Sequence, residues 1–268
     1  MTNRRDLVKL LDVFIDLPFN EKLSGAQTDE THVFLQRYRL IKPLADRGKN
    51  MRIFWAEDTQ TKQDRLVIKL AWTFEAAIQP AEEYFLLTGP LKNCPYTPQI
   101  VTVGYDATAK CMVFVQEPKG RDLDIMLQVL EIGLDTEAEV YRKCFLQVMG
   151  PKAVTALTEI HKRGIIHRDI KPSNIIYYQA TDSILFIDFG AATTDAKSMQ
   201  LFRSTLYASD QVNDDQPGTI DDDWISLAYT WYSCWVGDVY REQVKNGTRP
   251  SLQQIGRLFP FLTDKLPK

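Results

Sequence analysis

The segment Ile165–Gly190, IIHRDIKPSNIIYYQATDSILFIDFG, constrains the fold of this chain more than any other stretch. It sets Asp169, Lys171, Asn174 and Asp188 into loops separated by short apolar runs. Lys171 stands two residues from Asp169, which puts both on one side of an extended loop. Ile184–Ile187 is a short apolar run of β character that would deliver Asp188 to the end of a strand.

The string HRDIKPSN, followed a strand, a turn and a strand later by DFG, resembles the catalytic and metal-binding loops of eukaryotic-type protein kinases, and the resemblance runs from about Tyr38 onward. It implies an α+β, bilobal fold with a β-rich N-lobe, a mainly helical C-lobe and a compact C-terminus. It also implies transfer of the γ-phosphoryl group of ATP to Ser or Thr hydroxyls of a protein substrate. Phosphoryl transfer asks a protein chiefly to align two oxygens and neutralise spreading negative charge. By the resemblance, Asp169 would accept the hydroxyl proton and Lys171 would balance charge on the moving group. Asn174 and Asp188 would hold Mg²⁺, a hard cation that takes oxygen ligands. Tyrosine kinases usually replace the lysine of KPSN, and small-molecule kinases usually lack the KPxN continuation, so the match is to Ser/Thr kinases.

The expected layout is an N-terminal helical extension over 1–35 and a kinase domain over 36–268, with lobes at about 36–116 and 121–268 and a hinge at about 116–120. At a formal net charge of −3 the chain has no bulk attraction for nucleic acid. The four cysteines form no CxxC pair, and with three histidines they make a zinc site unexpected; buried free thiols in a reducing, intracellular compartment fit better. No apolar run is long enough to span a membrane, and the acidic residues among the first apolar ones make a poor signal peptide. Without coiled-coil heptads, a monomer is expected.

Leu7, Leu10, Leu11, Phe14 and Ile15 recur at helical spacing. That helix would either pack on the lobe surface or dock a partner. From Tyr38 three strands are expected, with turns at Ala45–Met51 and Asp58–Asp64. Lys69, closing LVIK, matches the lysine that grips the α and β phosphates. Gly48 alone remains of the glycine-rich phosphate loop, with Lys49 and Arg52 near enough to compensate by charge. Ile53 and Val67 would line the nucleotide site, Val67 standing where the family usually has alanine.

A helix is expected to begin at Pro80 and break at Gly89-Pro90. Glu83 is the expected ion-pair partner of Lys69, with Glu82 as the alternative. The run CMVFVQ is a buried strand in which the resemblance makes Val115 the gatekeeper. Gln116, Glu117, Pro118 and Lys119 would then form the hinge that meets adenine. Pro118 would occupy the position that normally donates an N–H, which proline lacks. Ile176 would close the adenine site from below.

Thr136–Arg163 reads as a long helix that Gly150-Pro151 would divide. Arg168 marks kinases whose activation segment is ordered by a phosphate; Thr193, Thr194, Ser198, Ser204 and Thr205 are candidate acceptors, and a constitutively ordered segment is the alternative. No APE follows. STLYASD then DDDWISLAY instead resembles the casein kinase 1 group, with Ser204 facing the catalytic loop and Asp223 bonding the HRD backbone. Asp210, Asp214, Asp215 and Asp221–Asp223 would either cap and solvate or favour basic residues near the target. The degenerate glycine loop, Pro118, absent APE and short C-lobe would also suit a nucleotide-binding scaffold with little catalysis. Intact Lys69, HRD, Asn174 and DFG argue for an enzyme.

Overall fold

Leu66–Ala71, LVIKLA, carries apolar side chains on both alternating sets, with Lys69 the one charged residue, the pattern of a strand covered on both faces. It is central in the computed structural model, which describes residues 32–46, 51–64, 66–117, 120–132, 138–194, 206–208 and 218–267. The sequence expectations for the N-terminal helix, Gly48, Lys49, Pro118, Lys119, Ser198, Ser204, Thr205, Asp210, Asp214 and Asp215 lie outside the described residues. The chain divides into two compact units, one built from residues up to Asn93 with Pro98–Gly120, the other from Cys94–Thr97 with everything from Arg121 on.

The first unit is a six-stranded antiparallel sheet in the order β1-β2-β3-β4-β6-β5. Its strands are β1 (Val33–Phe34), β2 (Tyr38–Asp46), β3 (Met51–Asp58), β4 (Leu66–Ala71), β5 (Gln99–Asp106) and β6 (Cys111–Glu117). Period-two alternation sorts the side chains into two sets. One set, including Phe34, Leu40, Phe54, Ala56, Ile68, Val113 and Val115, forms the main core. On the opposite face Ala71, Met112 and Phe114 pack with Ala77 and Ala81 of helix α1 (Phe74–Thr88).

Helix α1 corrects the expected start at Pro80. Thr73 is the N-cap, its side chain accepting from Ala76 N, and Pro80 lies inside the helix. A side-chain cap satisfies an otherwise orphaned amide, which outweighs proline's preference for the first turn. β1 had no visible sequence signal, since two residues carry no periodicity. It is secured instead by Asp106, which accepts Leu35 N at 2.8 Å and His32 Nε2 at 3.0 Å.

Asp58 does comparable work at the other end of the sheet. Its carboxylate accepts Arg37 Nε and Nη2 at 3.0 and 2.6 Å and Gln60 N at 2.9 Å. The Arg37 guanidinium and these turn amides hold it well below the ordinary carboxylate range.

The second unit holds a three-stranded sheet, β7 (Arg121–Asp122), β8 (Ile175–Tyr178) and β9 (Ser183–Phe186), in that order. Its helices are α2 (Leu123–Ile132), α3 (Ala138–Lys162), α4 (Ile220–Val236), α5 (Val239–Lys245) and α6 (Leu252–Leu258). Trp231 on α4 is fully buried and donates its indole N–H to Leu146 O at 3.0 Å. α3 runs unbroken through Gly150-Pro151, correcting the expected division. The glycine is explained by packing: a Cβ there would fall 2.0 Å from Phe261 Cζ.

Two outcomes follow from these contacts. Gly150→Ala should lower stability by about 1–3 kcal/mol in urea unfolding, against the helix propensity of alanine, because overpacking exceeds the propensity gain. Asp58→Asn should cost about 1–3 kcal/mol at pH 7. Because the folded-state value of Asp58 is depressed, this stabilisation is complete above the unfolded value of ~3.9 and is lost as pH falls below it. Wild-type and variant curves should therefore converge in acid.

Candidate active site

The loop between α3 and β8 carries HRDIKPSN, and its shape depends on a carboxylate distant in sequence. Asp223, in the first turn of α4, is 1% exposed and accepts His167 N at 2.7 Å, Arg168 N at 2.8 Å and His161 Nε2 at 2.8 Å. This is the HRD-backbone bond expected of Asp223. The helix start is fixed separately by a capping box between Thr219 and Asp222. The three consecutive aspartates thus divide their work: Asp222 caps, Asp223 anchors the loop, and Asp221 is exposed.

Held this way, the loop takes a left-handed backbone at Arg168, φ 70°. For a non-glycine residue this is unfavourable and persists only where surroundings impose it. His167 is buried, donates Nε2 to Ile187 O at 3.0 Å and accepts Asp169 N on Nδ1 at 3.3 Å. Its ring lies 4.7 Å from that of the buried Phe189. One imidazole therefore links the HRD and DFG segments.

Lys171 Nζ reaches Asp169 Oδ2 at 2.6 Å, and Asn174 Nδ2 reaches the same oxygen at 3.0 Å and Asp169 O at 2.8 Å. Asp169 Oδ1 has no partner among the described residues. Committing its nitrogen to Asp169 likewise leaves Asn174 Oδ1 without one. Ile187 N donates to Asn174 O at 3.0 Å, which brings the chain to Asp188 next to Asn174. Asp188 also takes the left-handed region, φ 66° and ψ 63°. Asn174 and Asp188 supply two hard oxygen donors of the kind Mg²⁺ accepts, phosphate and water completing such a shell. Among the described residues no group of three or more His, Cys, Asp or Glu could hold a metal on its own.

In the β-rich unit, Lys69 Nζ is bonded to Glu83 Oε2, both side chains buried, while Glu82 is exposed. Register assigns the neighbours. Lys69 lies opposite Ile53 and Phe114, and Val67 opposite Trp55 and Gln116. Directly opposed residues share a face, so Ile53, Trp55, Val67, Lys69, Phe114 and Gln116 form one surface. Val115 pairs with Ile68 and lies in the main core on the other face. The gatekeeper expectation for Val115 is corrected by this register: Gln116 stands on the Lys69 side. A one-residue offset in a strand reverses the face, and a continuous apolar run such as CMVFV does not reveal the phase. Glu117 is bonded by Gln63. Ile176, 4% exposed, pairs with Asp122 and Leu185 in the helical unit.

Thr193 forms a backbone bridge with Ile166, and Thr194 is exposed. The short stretch Leu206–Ala208 is fastened by residues the sequence did not single out. Tyr240 OH donates to Leu206 O at 2.8 Å, Arg249 Nη2 donates to Ala208 O at 3.0 Å, and Tyr207 stacks on Tyr240 at 6.0 Å. The acceptors are backbone carbonyls, which every residue carries, so neither side chain has a sequence signal.

A family model, the protein kinase domain, matches residues 91–263, well over half of the chain. The chain belongs to the protein kinase domain family. It is 30% identical over 153 residues to the mitogen-activated protein kinase HOG1 of Eremothecium gossypii, covering 57% of this chain and 32% of that protein. It is 34% identical over 172 residues to HOG1 of Kluyveromyces lactis, covering 64% and 36%. A probable casein kinase II subunit alpha homolog of Encephalitozoon cuniculi is 24% identical over 161 residues, covering 59% and 44%. The chain thus matches less than half the length of each of these relatives. No helix among the described residues is long and apolar enough to cross a membrane.

Asp223→Ala would strand three buried donors. It should destabilise the protein by about 3–5 kcal/mol, lowering Tm by roughly 6–20 °C. Thermal unfolding checks the first figure, and hydrogen exchange should show lost protection at the His167 and Arg168 amides.

Proposed function

We propose that this chain is a Ser/Thr protein kinase that transfers the γ-phosphoryl group of ATP to protein hydroxyls. The observation that carries this reading is the Asp169 carboxylate. One oxygen is held by Lys171 and Asn174, and the other is open. A carboxylate fixed by one oxygen and open at the other suits accepting a proton from an incoming Ser or Thr hydroxyl.

Lys171, bonded to Asp169, carries positive charge to the acceptor side and balances charge on the moving phosphoryl group. Lys69 contributes charge to the α and β phosphates, and its pairing with Glu83 restricts the rotamers of a flexible side chain. Asn174 Oδ1 and the Asp188 carboxylate would hold Mg²⁺, which when bound neutralises charge on the phosphate oxygens. Ile53 and Val67 would offer apolar contacts to the base, and Gln116, Glu117 and the following hinge polar ones. With Gln116 in the gatekeeper place, the hinge would start at Glu117, and the expected N–H donor moves from Pro118 to Lys119. Gly48 remains a contributor to phosphate binding by position.

A nucleotide-binding scaffold without turnover is disfavoured by the same observation. Binding alone does not call for an acceptor carboxylate held by two donors.

The test is incubation with Mg²⁺ and γ-labelled ATP, with casein and myelin basic protein as acceptors and mass spectrometric site mapping. Label should appear on Ser or Thr. Asp169→Ala should lower incorporation about 10²–10⁴-fold, and Lys69→Met about 10²–10³-fold. Undiminished incorporation by the Asp169 variant would remove it from the proton-accepting role.

A further inference from the structure

The outward side of helix α3 is apolar where a solvated helix would be polar. From Val140 to Val148 its exposed positions are Val140, Tyr141, Cys144, Gln147 and Val148, and only Gln147 is polar. Val140, Tyr141 and Val148 are 61%, 50% and 58% exposed. Single exposed apolar residues need no explanation, but Val140, Cys144 and Val148 recur every four residues and so form one row along the helix. The row meets Leu258 of α6, 40% exposed, whose carbonyl accepts Gln147 Nε2 at 3.3 Å.

The charged residues of this span are drawn off the row. Arg142 lies against Gly237, where a Cβ would meet its Nη1 at 3.3 Å. Lys143 is paired with Glu139 and stands 5.3 Å from the Trp235 ring of α4. With both cations engaged at α4 and its C-cap, the surface from Val140 to Val148 carries no charge.

A convex helix side offers a small molecule no concavity, and what fits it is another helix. We propose that its occupant is α3 of a second copy of this chain, packed antiparallel about a two-fold axis at Cys144. Val140 and Val148 stand four residues to either side of Cys144. Antiparallel pairing therefore sets Val140 of each copy against Val148 of the other. Such an isologous contact uses one surface twice and closes at two copies. It also places opposite dipole ends side by side, and the small cysteine side chain at the centre lets the axes approach. One row of this length contains no heptad repeat, which is why the sequence points to a monomer. The exposed side chains offer on the order of 400 Å² of apolar surface, a size at which patches are often functional. A standard interface buries about 800 Å² per partner, so the pairing is weak, with a Kd of about 1–100 µM. None of the residues assigned to phosphoryl transfer takes part, and the inference is independent of that reading.

Sedimentation velocity on the whole chain, from about 1 to 500 µM, should show the mean mass rising from monomer towards dimer. Val148→Glu would bury unpaired carboxylates in the contact and should raise the Kd at least about tenfold. Its Tm should stay within about 2 °C of wild type, because the position is exposed in the single copy. Cysteine chemistry reads the register. Cys94, Cys111 and Cys234 are buried, which leaves Cys144 as the exposed thiol. With axes about 10 Å apart and Cα atoms about 2.3 Å from each axis, the two Cys144 Cα atoms come within roughly 5 Å, a separation that a disulfide spans. Diamide, reduced to its hydrazine as two thiols become one disulfide, should link the copies, and Cys144→Ser should abolish the link. A mass that stays monomeric throughout overturns the inference, as does a dimer that Val148→Glu does not weaken or that diamide does not link. If Val148→Glu lowers Tm by more than about 5 °C with no dimer present in wild type, the row is covered by residues of its own chain and the inference falls.

Discussion

A single buried carboxylate, that of Asp223, sets the shape of the HRDIKPSN loop. Three donors converge on it, two of them backbone amides of adjacent residues, His167 and Arg168. Accepting both amides requires a tight turn at that point, and the left-handed Arg168 backbone is its consequence. The cost of that conformation is met because a buried charge surrounded by donors is far more stable than one left unpaired. Asp169, Lys171 and Asn174 follow within a few residues and inherit the geometry. An arrangement of side chains built on a loop is thereby fixed by a helix more than fifty residues further along the chain.

The β-rich unit achieves comparable definition by alternation. Every residue of β3, β4 and β6 belongs to one of two faces, and antiparallel register decides which residues meet. One face is the main core. The other is divided between the part packed by α1, where Lys69 and Glu83 pair, and an uncovered strip. Burying Lys69 and Glu83 together satisfies a charge pair that neither residue could sustain alone, and leaves the ammonium with a fixed direction. Asp58 and Asp106, at opposite strand ends, secure turns and the short first strand through backbone amides and the side chains of Arg37 and His32.

Departures from sequence expectation have separate physical causes. Pro80 suggested a helix start, but Thr73 supplies a cap, and a helix can extend through a proline when its first turns are anchored. Gly150-Pro151 suggested a break, but the missing side chain makes room for Phe261 and the helix continues. Val115 faces the main core and Gln116 the Lys69 side, a phase that CMVFV, apolar throughout, has no alternation to reveal. Arg249 and Tyr240 gave no signal because their acceptors are carbonyls, which every residue carries.

The sequence by itself determined the local arrangement of the HRDIKPSN loop: its residues are spaced tightly enough that local connectivity brings Asp169, Lys171 and Asn174 into reach of one another. It also specified the strands and buried helices, whose apolar patterns are short-range properties. Only the tertiary structure decided which glutamate meets Lys69, which face of β6 Gln116 occupies, and which side chains fasten Leu206–Ala208. Those outcomes depend on register and on packing between segments far apart in the chain, where a shift of one residue changes the partner while leaving the local pattern almost the same.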